Sequence, residues 1–537
     1  MYDLIIEKGD IIDGTGRERF NSDIGIVGDR IATIGELHER EAAARLDASG
    51  FIVSPGFIDI HSHSDLTLLV NPTADSKILQ GVTTEVIGNC GMSPFPVNAD
   101  RVDEIKRYLV FIAADVEWDW CTGEDYLNAL ERARPAVNVA VLVGHGTLRT
   151  AVSGFIDRGL TPDESRRLNE LLEEALCHGA FGMSSGLIYP PGSFSSTEEL
   201  VEACKVLKPY GGIYATHIRN ERSRLLESIS EAIEIGRRAE IPVQISHLKA
   251  AGSRNWGTVE KALELIDRSR ASGVDVAFDV YPYTAGSTQL SQLLPPWVST
   301  GGPARLLERL KDPIERGRIR EEITTGTEEW ESLVDPGGWD KVVLASVEAT
   351  TNKPLEGKTI REIAEIRGID PAEAVLDILV EEKLAATMVI FTMDERDVVT
   401  ALQHPCAMIG SDAKAVAPRG ELGKGKPHPR HYGSFPKVLG EFVREKKALR
   451  LEEAIKKMTA LPAERLGLVD RGKIGEGMKA DLTIFNPRTV RDNSTFADPH
   501  RFPEGIEFVI VNGVLTAEKG RLLGGRAGRI LRNARAS

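Results

Sequence analysis

Hydrophobic and polar positions follow one texture at the two ends of the chain and another between them. From residue 1 to about 54, short period-two runs (Leu4-Ile5-Ile6, Asp23 to Val27, Ile31 to Ile34) are punctuated by Gly-Asp and Asp-Gly pairs that suit hairpin turns. The same texture returns from about Gly472, in Asp481 to Phe485 and Phe508 to Gly513. Neither end can bury a core alone, so the two are predicted to pair into one small β-sandwich.

Between them, apolar runs alternate with amphipathic stretches of helical period. The predicted strands are Phe57 to His61, Thr84 to Gly88, Val139 to Gly144, Ala180 to Ser184, Ile213 to His217, Val243 to His247, Val274 to Tyr281 and Ala407 to Asp412. Helix starts are explicit. Thr161-Pro162-Asp163-Glu164 is a capping box with proline at the first helical position, opening a helix towards Cys177, and Asp370-Pro371-Ala372-Glu373 opens another. Eight strands alternating with helices predict an α/β fold, a (β/α)8 TIM-like barrel, with a doubly wound open sheet as the rival. The predicted domains are 1–54 and 466–537, forming the sandwich, and 55–465, the barrel, with an insertion over its mouth at about 286–345. Residues 414 to 435, rich in Gly, Pro and Lys, read as a mobile loop after the last strand.

Composition narrows the function more than the fold. With 42% hydrophobic and 27% charged residues among 537, this is an ordinary globular chain. A net charge of −14 argues against nucleic acid or an anionic membrane as partner, so an anionic small molecule must find cations placed locally. No apolar run approaches the roughly 18 residues of a membrane span, and the N-terminus lacks the basic region of a signal peptide. Cys90, Cys121, Cys177, Cys204 and Cys406 are odd in number and scattered, as suits free thiols in a reducing cytoplasm. No pattern specifies an oligomeric state.

The candidate chemistry sits where apolar runs stop. His61 and His63 lie in FIDIHSHSD, Cys90 in VIGNC, His217 in IYATH, His247 in VQISH and Asp412 in AMIGSD. Taken singly, each has a bland reading: a solvated loop histidine, a small buried hydrophobe, a turn aspartate. Taken together at strand ends, where a parallel barrel gathers its side chains, they predict a metal site. Glycines flank Cys90 where backbone must approach something closely. Histidine and thiolate donors favour zinc over magnesium or calcium.

HSHSD, the GNCG turn, ATHIRNE, ISHLKA and the terminal GSD resemble the amidohydrolase superfamily, and within it the N-acyl-D-amino-acid deacylase (D-aminoacylase) family, over nearly the whole chain. The resemblance implies one zinc held tightly by Cys90, His217 and His247, and a second, weaker position at His61, His63 and Asp412. It departs from relatives that carry a carboxylated lysine on a later strand. Here strand four ends in Phe181-Gly182-Met183-Ser184-Ser185-Gly186, which disfavours a hydantoinase-like enzyme acting on cyclic amides. The activity implied is zinc-dependent hydrolysis of N-acyl-D-amino acids, with Asp412 as general base and then acid. The alternatives are an amidohydrolase acting on dipeptides or cyclic amides, and a non-catalytic binding or assembly protein, which should have lost at least one ligand.

The amino-acid product is an anion. Lys249, two residues after His247, and Arg430, on the loop after strand eight, are the expected cations. By the same resemblance Tyr281, Ser287 and Tyr189 face substrate, and Tyr281 could donate to the developing oxyanion. His145, ending strand three, either lines the site or supports it.

Overall fold

The computed structural model describes residues 1–327 and 330–535. Both chain ends enter a single nine-stranded sheet, in which Leu482–Phe485 pairs antiparallel with Ile52–Pro55. Strand periodicity divides its side chains between two cores. Val53, Leu482, Ile484, Phe508 and Ile510 join the sheet's own apolar cluster. Their neighbours Ile52, Phe485, Val509 and Val511 point the other way, into the main core of the molecule. A one-residue slip would exchange the two sets, so the register is strongly specified.

The middle of the chain supplies two sheets of parallel strands. One runs Phe57–Asp59, Val82–Ile87, Asn138–Val141; the other runs Val143–Gly144, Gly182–Gly186, Ile213–His217, Val243–Ile245, Val276–Val280, Ala407–Ile409. The third predicted strand is interrupted at Leu142, whose N–H bonds the Ile87 carbonyl at 2.9 Å. The free edges of the two sheets meet. Ser62 and Ala413 form a parallel bridge, Asp412 N–H bonds His61 O at 2.8 Å, and His63 N–H bonds Ala413 O at 3.1 Å. Fully buried Lys77 spans that seam, its Nζ 2.6 Å from Asp59 Oδ2, 2.8 Å from Ser411 Oγ and 2.9 Å from Ala413 O.

Helices form where the caps predicted them. Thr161 and Glu164 complete the capping box of Pro162–Cys177, whose Leu168, Leu172, Ala175 and Leu176 face the core. Asp370 caps Pro371–Glu381 through the Ala372 and Glu373 N–H groups. That helix packs into an apolar cluster, separate from the main core, that extends past the expected insertion at about 286–345. Ala285–Gln289, Val342–Ser346 and Thr387–Phe391 form an antiparallel sheet, and the cluster runs from Leu290 to Ile390. The expected loop at 414–435 is corrected at its two ends: residues 415–417 are buried and Arg430–Lys437 is a helix with a buried face, while 418–427 are exposed or half-buried. Among the described residues, no helix is long and apolar enough to cross a membrane.

Candidate active site

Five strand ends deliver six donors to one mouth. Cys90 Sγ lies 3.3 Å from His61 Nε2, 3.6 Å from His247 Nε2 and 4.0 Å from His217 Nδ1. Asp412 Oδ1 is 3.0 Å from His63 Nε2 and 3.5 Å from His61 Nε2. The donor atoms of His61, Cys90, His247 and Asp412 all fall within 4.8 Å of one another, and those of His217, Glu221 and His247 make a second such group.

Backbone strain marks the same residues. Cys90, His247 and Asp412 have φ of 52°, 37° and 51°, in the left-handed region that side chains normally avoid at a cost of about 1–3 kcal/mol each. Each reversal comes just after a parallel strand ends, turning the chain so that the donor points into the mouth. Gly88 and Gly91 make the Cys90 turn possible. Both have positive φ, and a Cβ would collide with Leu142 at the first and with the Gly186 amide at the second.

Burial opposes charge on every group here, and paired charge overcomes it. Desolvation alone would raise the Cys90 thiol, yet the His61 charge and hydrogen bonds from His217, His247 and His61 hold it well below its ordinary value. Asp412 is likewise held far down, against burial, by Arg430 and His61 and by the hydrogen bond to His63. Burial and the Lys249 charge press His247 down, but Glu221 and Cys90 carry it up to about 9.

Two acids that sequence reasoning missed organise these donors. Glu221 Oε1 is 3.0 Å from His247 Nδ1 and 2.5 Å from Lys249 Nζ, and its other oxygen is 3.7 Å from His217 Nε2. Asp279 Oδ1 is 3.0 Å from His61 Nδ1 and accepts the His247 N–H at 2.8 Å. Each fixes the ring nitrogen turned away from Cys90. Spacing offered one signal: Glu221 stands four residues after His217 in ATHIRNE.

The donors open on a cavity of about 710 Å³, counting its open mouth, which Tyr189, Lys249, Tyr281, Ser287 and Arg430 also line. Tyr189 packs edge-on against His217 at 4.9 Å. Lys249 and Arg430 both approach Tyr281, at 5.7 and 5.1 Å from its ring. Neither cation is free. Lys249 is held by Glu221, and Arg430, expected on a mobile loop, is fully buried with Nη1 2.8 Å from Asp412 Oδ2. His145 does not join the site. It starts the helix His145–Ser153, and its Nε2 faces Glu199 at 3.2 Å, beside the Arg149–Glu199 ion pair. Gly144 stands at the N-cap, so His145 lies in the first turn of the helix and its ring turns to Glu199.

A buried thiolate with imidazole and carboxylate donors converging at these separations suits zinc, whose ligands are drawn from Cys, His and Asp/Glu. The donor set therefore fits the metal that the sequence predicted.

The comparisons agree with this chemistry. A D-aminoacylase of Alcaligenes xylosoxydans xylosoxydans is 38% identical, over 99% of this chain and 97% of its own length. An N-acyl-D-glutamate deacylase of the same organism is 37% identical, over 99% and 96%. The crystal structure of N-acyl-D-glutamate deacylase from Bordetella bronchiseptica, complexed with zinc and a phosphonate mimic of the reaction's tetrahedral intermediate, superposes with a TM-score of 0.83 at 34% identity, covering 99% of both chains. The Amidohydrolase family model matches residues 45–517. By fold, donor set and full-length similarity, this chain belongs to the amidohydrolase family.

Proposed function

We propose that the protein is a zinc-dependent deacylase that hydrolyses N-acyl-D-amino acids to a carboxylate and a free D-amino acid. The observation that carries the reading is Cys90 Sγ amid three imidazoles, with the Asp412 carboxylate clamped by Arg430 at the edge of the same cavity. Linear amides as substrates, and their D configuration, follow from the relatives. The cyclic-amide alternative is weaker, because the Gly182–Gly186 strand offers no lysine and the thiol takes a ligand's place.

Cys90, His217 and His247 would hold one zinc, and His61, His63 and Asp412 a second, weaker one, with Cys90 within reach of both sets. Bound zinc supplies Lewis acidity, acidifying water and polarising the scissile carbonyl. Asp412 does the proton work. Arg430 pairs with its Oδ2, and Oδ1, which faces His63 and His61, is the oxygen that would accept the proton of the attacking water and return it to the departing nitrogen. The substrate carboxylate is drawn to the Lys249–Tyr281–Ser287 side of the cavity, where Lys249 retains donors beyond the one given to Glu221. Tyr281, its hydroxyl pushed up to about 12 chiefly by burial, stays protonated and can donate to the carbonyl oxygen as charge develops there.

The same reading extends to architecture. The two parallel sheets are read as one (β/α)8 barrel, supported by the backbone bonds across the Ser62–Ala413 seam and the strand continuing through Leu142. The domains proposed are 1–54 with 466–537, a sandwich folded about the cluster of Val53 and Leu482, and 55–465, whose insertion is widened to about 285–391. A cytoplasmic location is proposed on the strength of five free thiols. The test is a parallel assay of zinc-loaded protein with N-acetyl-D-amino acids, their L enantiomers and a hydantoin. Hydrolysis confined to the D series is expected; turnover of the hydantoin instead would overturn the reading.

A further inference from the structure

Behind the donors lies a polar cluster that the proposed chemistry does not use. Asp59, Ser62, Ser64, Lys77, Glu85 and Ser411 are all fully buried. They come from four segments: the Phe57–Asp59 strand and the turn after it, the short helix Asp75–Ile78, the Val82–Ile87 strand, and the turn after Ala407–Ile409. Lys77 is the one cation of the six. Burial presses its ammonium down, but Asp59 and Glu85 together raise it above its ordinary value, so it stays charged.

The bonds of this cluster end on the neighbours of donors. Asp59 Oδ1 accepts the Ser411 N–H at 2.8 Å and the His61 N–H at 3.3 Å, and its Oδ2 accepts the Ser411 hydroxyl at 2.5 Å. Lys77 donates to Asp59, to Ser411 Oγ and to the Ala413 carbonyl. Ser64, next to His63, gives its hydroxyl to Glu85 and accepts the Ala415 N–H at 2.7 Å. The residues before and after Asp412 are therefore both gripped. Asp412 between them keeps a φ of 51°, a conformation that persists only where the surroundings over-determine it.

The cluster serves one half of the donor set. It holds the segments that carry His61, His63 and Asp412, whereas His217 and His247 rest on Glu221 and Cys90 on a glycine-flanked turn. Among the described residues, no side chain of the cluster bonds Cys90, His217 or His247. Resting on the deacylase reading above, we propose that Lys77, acting through Asp59 and Ser411, is a positioning residue. It holds the turn that aims Asp412, and with it the weaker metal position of His61, His63 and Asp412, and leaves the Cys90 position alone.

The test compares Lys77→Met, Ser411→Ala and the double variant Lys77→Met/Asp59→Asn with wild type, by zinc titration read by elemental analysis and by kinetics on N-acetyl-D-amino acids. Ser411→Ala keeps the Lys77–Asp59 pair and serves should Lys77→Met fail to fold. The double variant loses one charge of each sign and so keeps the cluster's net charge. Lys77→Met should bind the second zinc about 10–100-fold more weakly and the first unchanged, with kcat down by a similar factor and KM within about threefold. Ser411→Ala should move the second zinc and kcat in the same direction, by about tenfold. The double variant should melt higher than Lys77→Met without regaining kcat, because the bonds from Lys77 to Ser411 and Ala413 stay lost. Variants that bind zinc as the wild type does, that lose both zincs together, or that recover kcat once the charges balance overturn the positioning role and leave the deacylase reading standing. Hydrolysis of no N-acetyl-D-amino acid by the wild type overturns that reading instead, and the zinc titration then decides the role of Lys77.

Discussion

Two cysteines at opposite ends of the parallel strands each sit against histidine, and they end in opposite states. Cys90, past the carboxyl end, faces three imidazoles within 4.0 Å and is held well below the ordinary thiol range against its own burial. Cys406, at the amino end, has one imidazole, His404 Nδ1 at 3.1 Å, and its thiol is pushed up by burial despite Arg270. A single imidazole does not outweigh desolvation there; three of them, backed by acids, do. The rest of each end follows suit. Around Cys90 the supporting Asp279 is buried and Glu221 nearly so, and three donors sit on left-handed backbone. Around Cys406 the ion pairs are half wet: Asp275, Glu240 and Asp267 are 58%, 71% and 63% exposed opposite Arg465, Lys208 and His404. Such pairs contribute little to stability. One end concentrates charge and strain, as a site for chemistry must; the other spreads charge over a scaffold.

The sharpest way to break that contrast is to remove a donor from the carboxyl end. Asp412→Ala should keep much of its zinc, by elemental analysis, and lose about 10²–10⁴ in kcat, the usual worth of a positioned base. Cys90→Ala should do the reverse in kind, with zinc leaving on dialysis against a chelator and affinity falling by more than the roughly 10–100-fold typical of losing an outer partner. Wild-type turnover in zinc-loaded Asp412→Ala would take the proton role from it. Full zinc in Cys90→Ala would reduce the thiol to packing.

These six donors were legible because each closes an apolar run, and the end of a parallel strand has few directions in which to point. Their supports were not. Asp279 lies inside FDVYPY, where alternation says only strand, and Lys77 looks like any charge in a short polar stretch. Yet one bonds His61 and the other bridges Asp59 to Ser411 across the seam. Arg430 was misplaced for a related reason. Gly, Pro and Lys before it signal a solvated loop, whereas its burial is imposed by Asp412, eighteen positions earlier in sequence and 2.8 Å away in space. The helices beyond the expected insertion, Ile360–Arg367 and Pro371–Glu381, have an amphipathic period that fits either core. Only their packing against Leu290 and Leu344 shows which core they serve.

A smaller effect sharpens the comparison at one remove from the donors. Glu221→Gln keeps shape but removes the charge that Lys249 and His247 share. Zinc affinity or kcat/KM should fall about 10–100-fold, as expected of a lost outer-shell carboxylate. Stability should fall as well, because buried Lys249 loses its compensating charge. A Glu221→Gln protein with unchanged zinc affinity and unchanged melting would show that Glu221 supports neither His247 nor Lys249.

The amino end should answer in stability alone. Lys457, on Leu451–Met458, is buried with its Nζ on the His404 carbonyl, and burial presses its amine down to about 8 from 10.5. A folded-state pKa below the unfolded one means that the unfolded chain binds more protons between those values. The penalty is therefore fully present below pH 8, eases as pH rises through 8 to 10.5, and is gone above. Lys457→Met removes the charge. After allowing for the lost hydrogen bond, it should stabilise the protein by about 1–2 kcal/mol at pH 7. The gain should shrink towards zero above pH 10, as denaturant midpoints across that range would register. Because Lys457 touches no donor and lines no part of the catalytic cavity, kcat and KM should not move. A variant that gained stability equally at pH 7 and pH 10.5 would assign the effect to packing. One that changed kcat would show that the two ends of the strands are coupled and the division drawn between them is too sharp.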